Sequence, residues 1–252
     1  MTATAADLYL ELMKKVVTAT VIAREPDVDD PRFVTSFLEH YIRGHAFTMT
    51  PLARLDNTRR CIEDVLARGV PGDVIETGVW RGGMTIFMRA IFAAHGVTDR
   101  RVWVADSFQG LPEPDAGRFP IEARAHASRT MAEDFKHFSV SEAEVRANFA
   151  AFGLLDDQVR FVVGWFKDSL PAAPIDRLSV IRLDGDYYES TLDALTALYD
   201  KLSPGGYVIV DDYGEKMWTY CRRAVDDFRK ARGIDAPLVR VDSKCYFWQR
   251  PA

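Results

Sequence analysis

Five short apolar runs recur at intervals from Asp73 onward: Asp73–Thr77, Arg101–Asp106, Val159–Val163, Leu178–Leu183 and Tyr207–Val210. They are rich in Val and Ile and show no clean period-two alternation. Runs of this length read as strands buried on both faces. Helical spacing fills the intervals at Thr85–His95, Ser141–Phe152 and Thr191–Leu202, and again after the fifth run at Thr219–Arg232. Ser141 and Glu144 have the capping-box spacing. Leu238–Val241 and Cys245–Trp248, joined by Asp242-Ser243-Lys244, read as a terminal hairpin. Such alternation forces a parallel sheet with helices on both faces. The expected fold is therefore α/β: a doubly wound, mostly parallel seven-stranded sheet with a C-terminal antiparallel hairpin.

Upstream, Leu8, Leu12, Val16 and Val17, then Phe33, Phe37 and Tyr41, recur at helical spacing. These imply an N-terminal helical extension over residues 1–54, followed by one sheet domain over 55–252. Asp56 or Asn57 is the expected cap of a helix running to about Arg68. Residues 112–140 carry no clear pattern and exceed an ordinary connection, so an active-site lid is expected there.

The 252 residues suffice for one such domain. The formal net charge of -5 disfavours a phosphate backbone as partner. Three scattered cysteines, Cys61, Cys221 and Cys245, suit free thiols in a reducing cytoplasm rather than disulfides or structural zinc. Asp7, Glu11, Lys14 and Lys15 interrupt the apolar residues of the N-terminus, which argues against a signal peptide. No run has the apolar length of a bilayer span. The expectation is a cytoplasmic protein whose partner is a small molecule, not nucleic acid or membrane.

In a doubly wound sheet ligands bind outside the carboxyl ends of the strands. The first strand runs into Glu76-Thr77-Gly78-Val79-Trp80-Arg81-Gly82-Gly83. This spacing is not the dinucleotide pattern G-x-G-x-x-G, and a carboxylate before the turn suits an amine or hydroxyls better than a pyrophosphate. The second strand ends in Asp106, placed to accept ribose hydroxyls, or to serve only as a turn or cap residue. The fourth ends in Asp184-Gly185-Asp186 and the fifth in Asp211-Asp212. Four carboxylates on neighbouring strands repel unless protonation or a cation relieves them. Hard oxygen ligands point to Mg²⁺ rather than zinc. The plainer alternative is that some face solvent, or that Asp186 caps the helix near Thr191. The five histidines, His40, His45, His95, His126 and His137, show no metal-ligand spacing.

These segments, together with Val104-Ala105-Asp106-Ser107-Phe108-Gln109-Gly110, Gly153-Leu154-Leu155-Asp156-Asp157, Gly164-Trp165-Phe166-Lys167-Asp168, Leu202-Ser203-Pro204-Gly205-Gly206 and Asp211-Asp212-Tyr213, resemble the macrocin O-methyltransferase family from about Leu55 to the C-terminus. The resemblance implies a class I methyltransferase sheet (Rossmann-like), S-adenosylmethionine as donor, Mg²⁺ dependence, a sugar hydroxyl as acceptor and a homo-oligomer, dimer or tetramer. It puts Glu76, Thr77 and Gly78, with Val79 and Trp80, beside the methionine and sulfonium. Asp106 falls on the ribose, flanked by Ser107 and Phe108, and Asp157 and Trp165 fall around the adenine. Asp56 falls at the donor's amino-acid end. Asp184, Asp211 and Asp212 become the Mg²⁺ ligands, and Asp186 the general base. The chain departs from the family at Tyr187-Tyr188-Glu189, where members carry Ser-Tyr-Gly, and at Gly214, where they carry Cys. Other readings are a catechol-type methyltransferase, an NAD-dependent oxidoreductase and a non-catalytic donor-binding protein.

Overall fold

The computed structural model describes residues 2–27, 32–127, 136–214 and 219–251. Its strands are β1 (Asp73–Thr77), β2 (Val102–Asp106), β3 (Val159–Val163), β4 (Leu178–Leu183), β5 (Leu202–Val210), β6 (Val239–Arg240) and β7 (Tyr246–Gln249). They form one seven-stranded sheet in the order β3-β2-β1-β4-β5-β7-β6. β1 to β5 are parallel, and β7 runs antiparallel to both β5 and β6. The strand order reverses between β1 and β4, which opens a crevice at their carboxyl ends.

The helices are α1 (Ala5–Val17), α2 (Phe33–Phe37), α3 (Leu52–Ala67), α4 (Gly83–Ala94), α5 (Pro120–Ala127), α6 (Glu142–Ala151), α7 (Phe166–Ala172), α8 (Tyr188–Leu198) and α9 (Thr219–Ala231). A π-helical turn, Leu38–Ile42, continues α2. Successive strand side chains point to opposite faces, so Val74 and Ile75 belong to different apolar clusters. Val74 packs with Ile62 of α3, Phe87 of α4 and Phe149 of α6. Ile75 packs with Leu170 of α7, Leu195 of α8 and Phe228 of α9. That two-sided burial is why the strands read as continuous apolar runs.

The N-terminal segment packs into the first of these clusters through Leu10, Met13 and Val17. Its helix α1 opens with a reciprocal cap. Asp7 N donates to Thr4 Oγ1 at 3.1 Å, and Thr4 N donates to Asp7 Oδ2 at 3.0 Å. Arg81, in the turn after β1, donates to the carbonyls of Ile42 at 3.0 Å and Ala46 at 2.9 Å. The chain before α3 is thereby held against the crevice.

Several boundaries differ from the sequence reading. Helix α3 begins at Leu52 behind Pro51, so Asp56 lies within the helix instead of capping it. β5 starts at Leu202, five residues before the expected strand, and so includes Ser203–Gly206. The terminal hairpin is shorter than expected. Within the unpatterned stretch 112–140 the chain forms α5, while residues 128–135 of the expected lid lie outside the described residues. Among the described residues no helix is long and apolar enough to cross a membrane. Cys61, Cys221 and Cys245 are buried free thiols.

Candidate active site

A cleft of about 1320 Å³ opens at the carboxyl ends of β1, β2, β4 and β5. Single-ligand pockets run to roughly 1,000 Å³, so this one has room for two substrates together.

One wall is built from the turns after β1 and β2. Gly78 has φ +84°, and a Cβ there would lie 1.9 Å from the Asp184 carbonyl oxygen. Only glycine allows the β1 turn to lie this close to the end of β4. Asp106 ties the two turns together: its Oδ2 accepts from Val79 N and its Oδ1 from Phe108 N, both at 2.8 Å. Burial raises the Asp106 carboxyl above its ordinary value, and these N–H donors pull it back. Ser107 braces the β2 turn, donating to Gly110 O at 3.0 Å and accepting from Gln109 N at 3.1 Å. Trp80 and Trp165 line the same wall, and Trp80 Nε1 donates to His137 O at 2.7 Å.

The opposite wall is ionic. Arg182 of β4 is fully buried and donates to Glu76, Asp184 and Asp211, and to Thr50 Oγ1 at 3.0 Å. The Arg182–Asp184 bond is 2.7 Å. Arg54 of α3 donates to the other Asp211 oxygen and, at 2.6 Å, to Asp242. Asp211 therefore sits between two guanidinium groups. Burial drives the Glu76 carboxyl up to about 8, against the opposing pull of Arg182. Burial, then the neighbouring Asp211, drives Asp184 up to about 6. Asp212 is raised well above its ordinary value by burial and by Asp186, Asp184 and Asp211. Two arginines do not neutralise this set.

Asp184, Asp211 and Asp212 each present an oxygen within 4.8 Å of the others. Asp212 Oδ2 is buried and has no hydrogen-bond partner among the described residues. An orphaned carboxylate oxygen in a cluster with surplus negative charge fits a hard divalent cation. Asp186, half-buried beside this set, has φ +58°.

The structure thus gathers Glu76, Gly78, Val79, Trp80, Asp106, Ser107, Trp165, Asp184, Asp186, Asp211 and Asp212 around one cleft. It does not bring in four other expected residues. Asp56 faces α1, where it pairs with Lys14, because Arg54, two residues earlier on α3, takes the face toward the crevice. Asp157 projects into solvent, while Asp156 takes the ion pair with Arg89 at 2.5 Å. Thr77 is buried behind the wall. The Phe108 ring packs near Phe161 at 6.1 Å, and only its backbone N–H serves Asp106. The sequence reading missed Arg182, Arg54, Thr50 and Asp242. An arginine inside a strand buried on both faces was the available signal for Arg182, since a buried charge needs a partner.

Residues 39–250 match the family model described as Macrocin-O-methyltransferase (TylF). The chain is 52% identical over 264 residues to the 8-demethyl-8-(2,3-dimethoxy-alpha-L-rhamnosyl)-tetracenomycin-C 4'-O-methyltransferase of Streptomyces olivaceus, covering 100% of this chain and 96% of the relative. It is 43% identical to the mycinamicin III 3''-O-methyltransferase of Micromonospora griseorubida, covering 99% and 98%. Among solved structures, the O-methyltransferase NovP superposes with a TM-score of 0.85 at 47% identity, covering 98% of this chain and 100% of NovP.

Proposed function

The chain belongs to the macrocin O-methyltransferase family and is an O-methyltransferase, and from this we propose that it methylates one hydroxyl of a sugar diol on a glycosylated natural product. The donor is S-adenosylmethionine, as the family implies, and the acidic cluster is a Mg²⁺ site. The observation that carries this reading is the cleft itself, lined both by Asp106 and by the carboxylates Asp184, Asp186, Asp211 and Asp212.

Asp106 takes the donor's ribose hydroxyls. Glu76, whose Oε2 has no hydrogen-bond partner among the described residues, takes the donor's amino group. Asp184, Asp211 and Asp212 hold the cation, which when bound supplies Lewis acidity that lowers the pKa of a neighbouring hydroxyl pair. Methyl transfer is an in-line displacement. The acceptor O–CH₃ bond forms as the sulfonium S–CH₃ bond breaks, and the sulfur keeps the electron pair. Asp186 receives the hydroxyl proton on a carboxylate oxygen. The walls fix the approach and exclude water.

The charge of the cleft favours a glycoside over a sugar nucleotide. Glu25, Glu113 and Asp193 line the space against Lys167, Arg240 and Lys244, so the surplus negative charge is that of the carboxylate wall. That field repels a diphosphate. The Streptomyces olivaceus relative is described as acting on a rhamnosyl-bearing tetracenomycin, and the Micromonospora griseorubida relative on mycinamicin III. The test is methyl transfer from labelled donor to glycosides with and without vicinal hydroxyls, after chelation and after Mg²⁺ add-back. Turnover that ignores the chelator sinks the metal assignment, and a preference for nucleotide-linked sugars sinks the acceptor class.

A further inference from the structure

Helix α8 begins two residues after Asp186, and its own sequence leaves that start uncapped: its N-cap is Tyr187, whose side chain makes no capping bond. The missing acceptor comes from α5. Glu122, 1% exposed, accepts the Tyr188 N–H at 3.1 Å. Three further contacts join the same two segments. Arg118 pairs with Glu189 at 2.9 Å, Phe119 stacks on Tyr188 with centroids 4.9 Å apart, and His126 Nδ1 lies 3.3 Å from the Tyr187 hydroxyl. All of them land on Tyr187-Tyr188-Glu189, the three residues that follow Asp186.

Asp186 lies between two fixed points. On one side Asp184 N donates to Thr77 O at 2.9 Å and locks the end of β4 to β1. On the other, Tyr187 N donates to Gly185 O at 2.6 Å and Tyr188 N is held by Glu122. A left-handed conformation at a residue with a Cβ persists only when its surroundings over-determine it. Loss of the Glu122 bond frees one of those two points.

We propose that Glu122 is a positioning residue for proton removal: by capping α8 it holds Asp186 in the orientation in which it meets the acceptor hydroxyl. Catalysis then depends on α5 being docked, although α5 donates no atom to the reaction. The proposal rests on Asp186 as the base. Burial lifts the Glu122 carboxyl to about 7, and either protonation state offers an acceptor oxygen, so glutamine can replace it.

The experiment compares Glu122→Ala, Glu122→Met, Glu122→Gln, Asp186→Asn and the Glu122→Met/Asp186→Asn double variant by steady-state and single-turnover methyl transfer, with melting curves for each. Glu122→Met fills the buried volume without an acceptor and serves if Glu122→Ala does not fold. The expected result is a fall in kcat of about 10- to 100-fold for the variants without an acceptor, as for a misplaced catalytic group. The donor KM stays unchanged, most turnover returns in Glu122→Gln, and the double variant is no slower than Asp186→Asn alone. Full kcat in Glu122→Met, no rescue by Glu122→Gln, or losses that multiply in the double variant each overturn the proposal while leaving the base assignment standing. Full turnover in Asp186→Asn removes the base assignment and this proposal with it.

Discussion

The two walls of the cleft are held by different kinds of bond. The wall proposed to take the donor, hereafter the donor wall, is local: Asp106 is fixed by backbone N–H groups of its own turn and of the neighbouring β1 turn. The ionic wall is assembled from side chains far apart in the chain, with Arg54 reaching Asp211 and Asp242, and Arg182 reaching Thr50. Backbone donors stay in place whatever the neighbouring side chains are. Buried ion pairs depend on every partner, because each charge removed strands the others. The donor wall should therefore tolerate substitution with local losses of affinity, and the ionic wall should fail as a unit.

The sharpest way to break that contrast is Arg182→Met. It leaves Glu76, Asp184 and Asp211 without their shared cation and should destabilise the fold by about 3–5 kcal/mol, the range for a broken buried pair. The urea midpoint measures it. An unchanged midpoint means the carboxylates relieve themselves by protonation, and the wall is not a unit.

Next in size is Asp186→Asn, expected to lower kcat by about 10²- to 10⁴-fold, as for loss of a general base. Calorimetric titration should find the affinity for S-adenosylmethionine unchanged, since Asp186 belongs to the other wall. Chelation sharpens the same division. It should remove most turnover and restore it on Mg²⁺ addition, while S-adenosylhomocysteine binds as before with NAD⁺ as the silent control.

Asp106→Ala should weaken donor binding by about 10- to 100-fold, the loss of hydrogen bonds to a charged group. Its melting temperature should fall much less than that of Arg182→Met. The smallest effects belong to Asp56→Ala and Asp157→Ala, which should change the donor Kd by less than about twofold, as surface substitutions do. A large loss of affinity in either places the residue at the donor after all and contradicts the geometry of α3 or of the β3 approach.

The legibility of the molecule in its sequence follows the same division. β1 to β5 were readable because burial on both faces removes polar residues from a strand. The donor turn was readable because its glycines and Asp106 act through neighbours in sequence. The four strand-end aspartates were readable because topology alone carries them to one edge of the sheet. Asp56 and Asp157 lie outside the cleft, and a motif position says nothing of which way a helix face or a turn points. Packing of α3 turns Arg54 into the cleft, and Asp56, two residues further round the helix, faces Lys14 of α1.

Sequence alone determined the doubly wound sheet, its strand ends and the residue types gathered there, since these follow from periodicity and chain order. Tertiary structure decided how the charges are balanced: Arg182 beneath the aspartates, Arg54 brought in by the segment ahead of the sheet, Glu122 at the start of α8. The physical reason is distance along the chain. Local hydrogen bonds leave a pattern within a few residues, whereas a buried charge finds its partner wherever packing places one, and no spacing in the sequence records that.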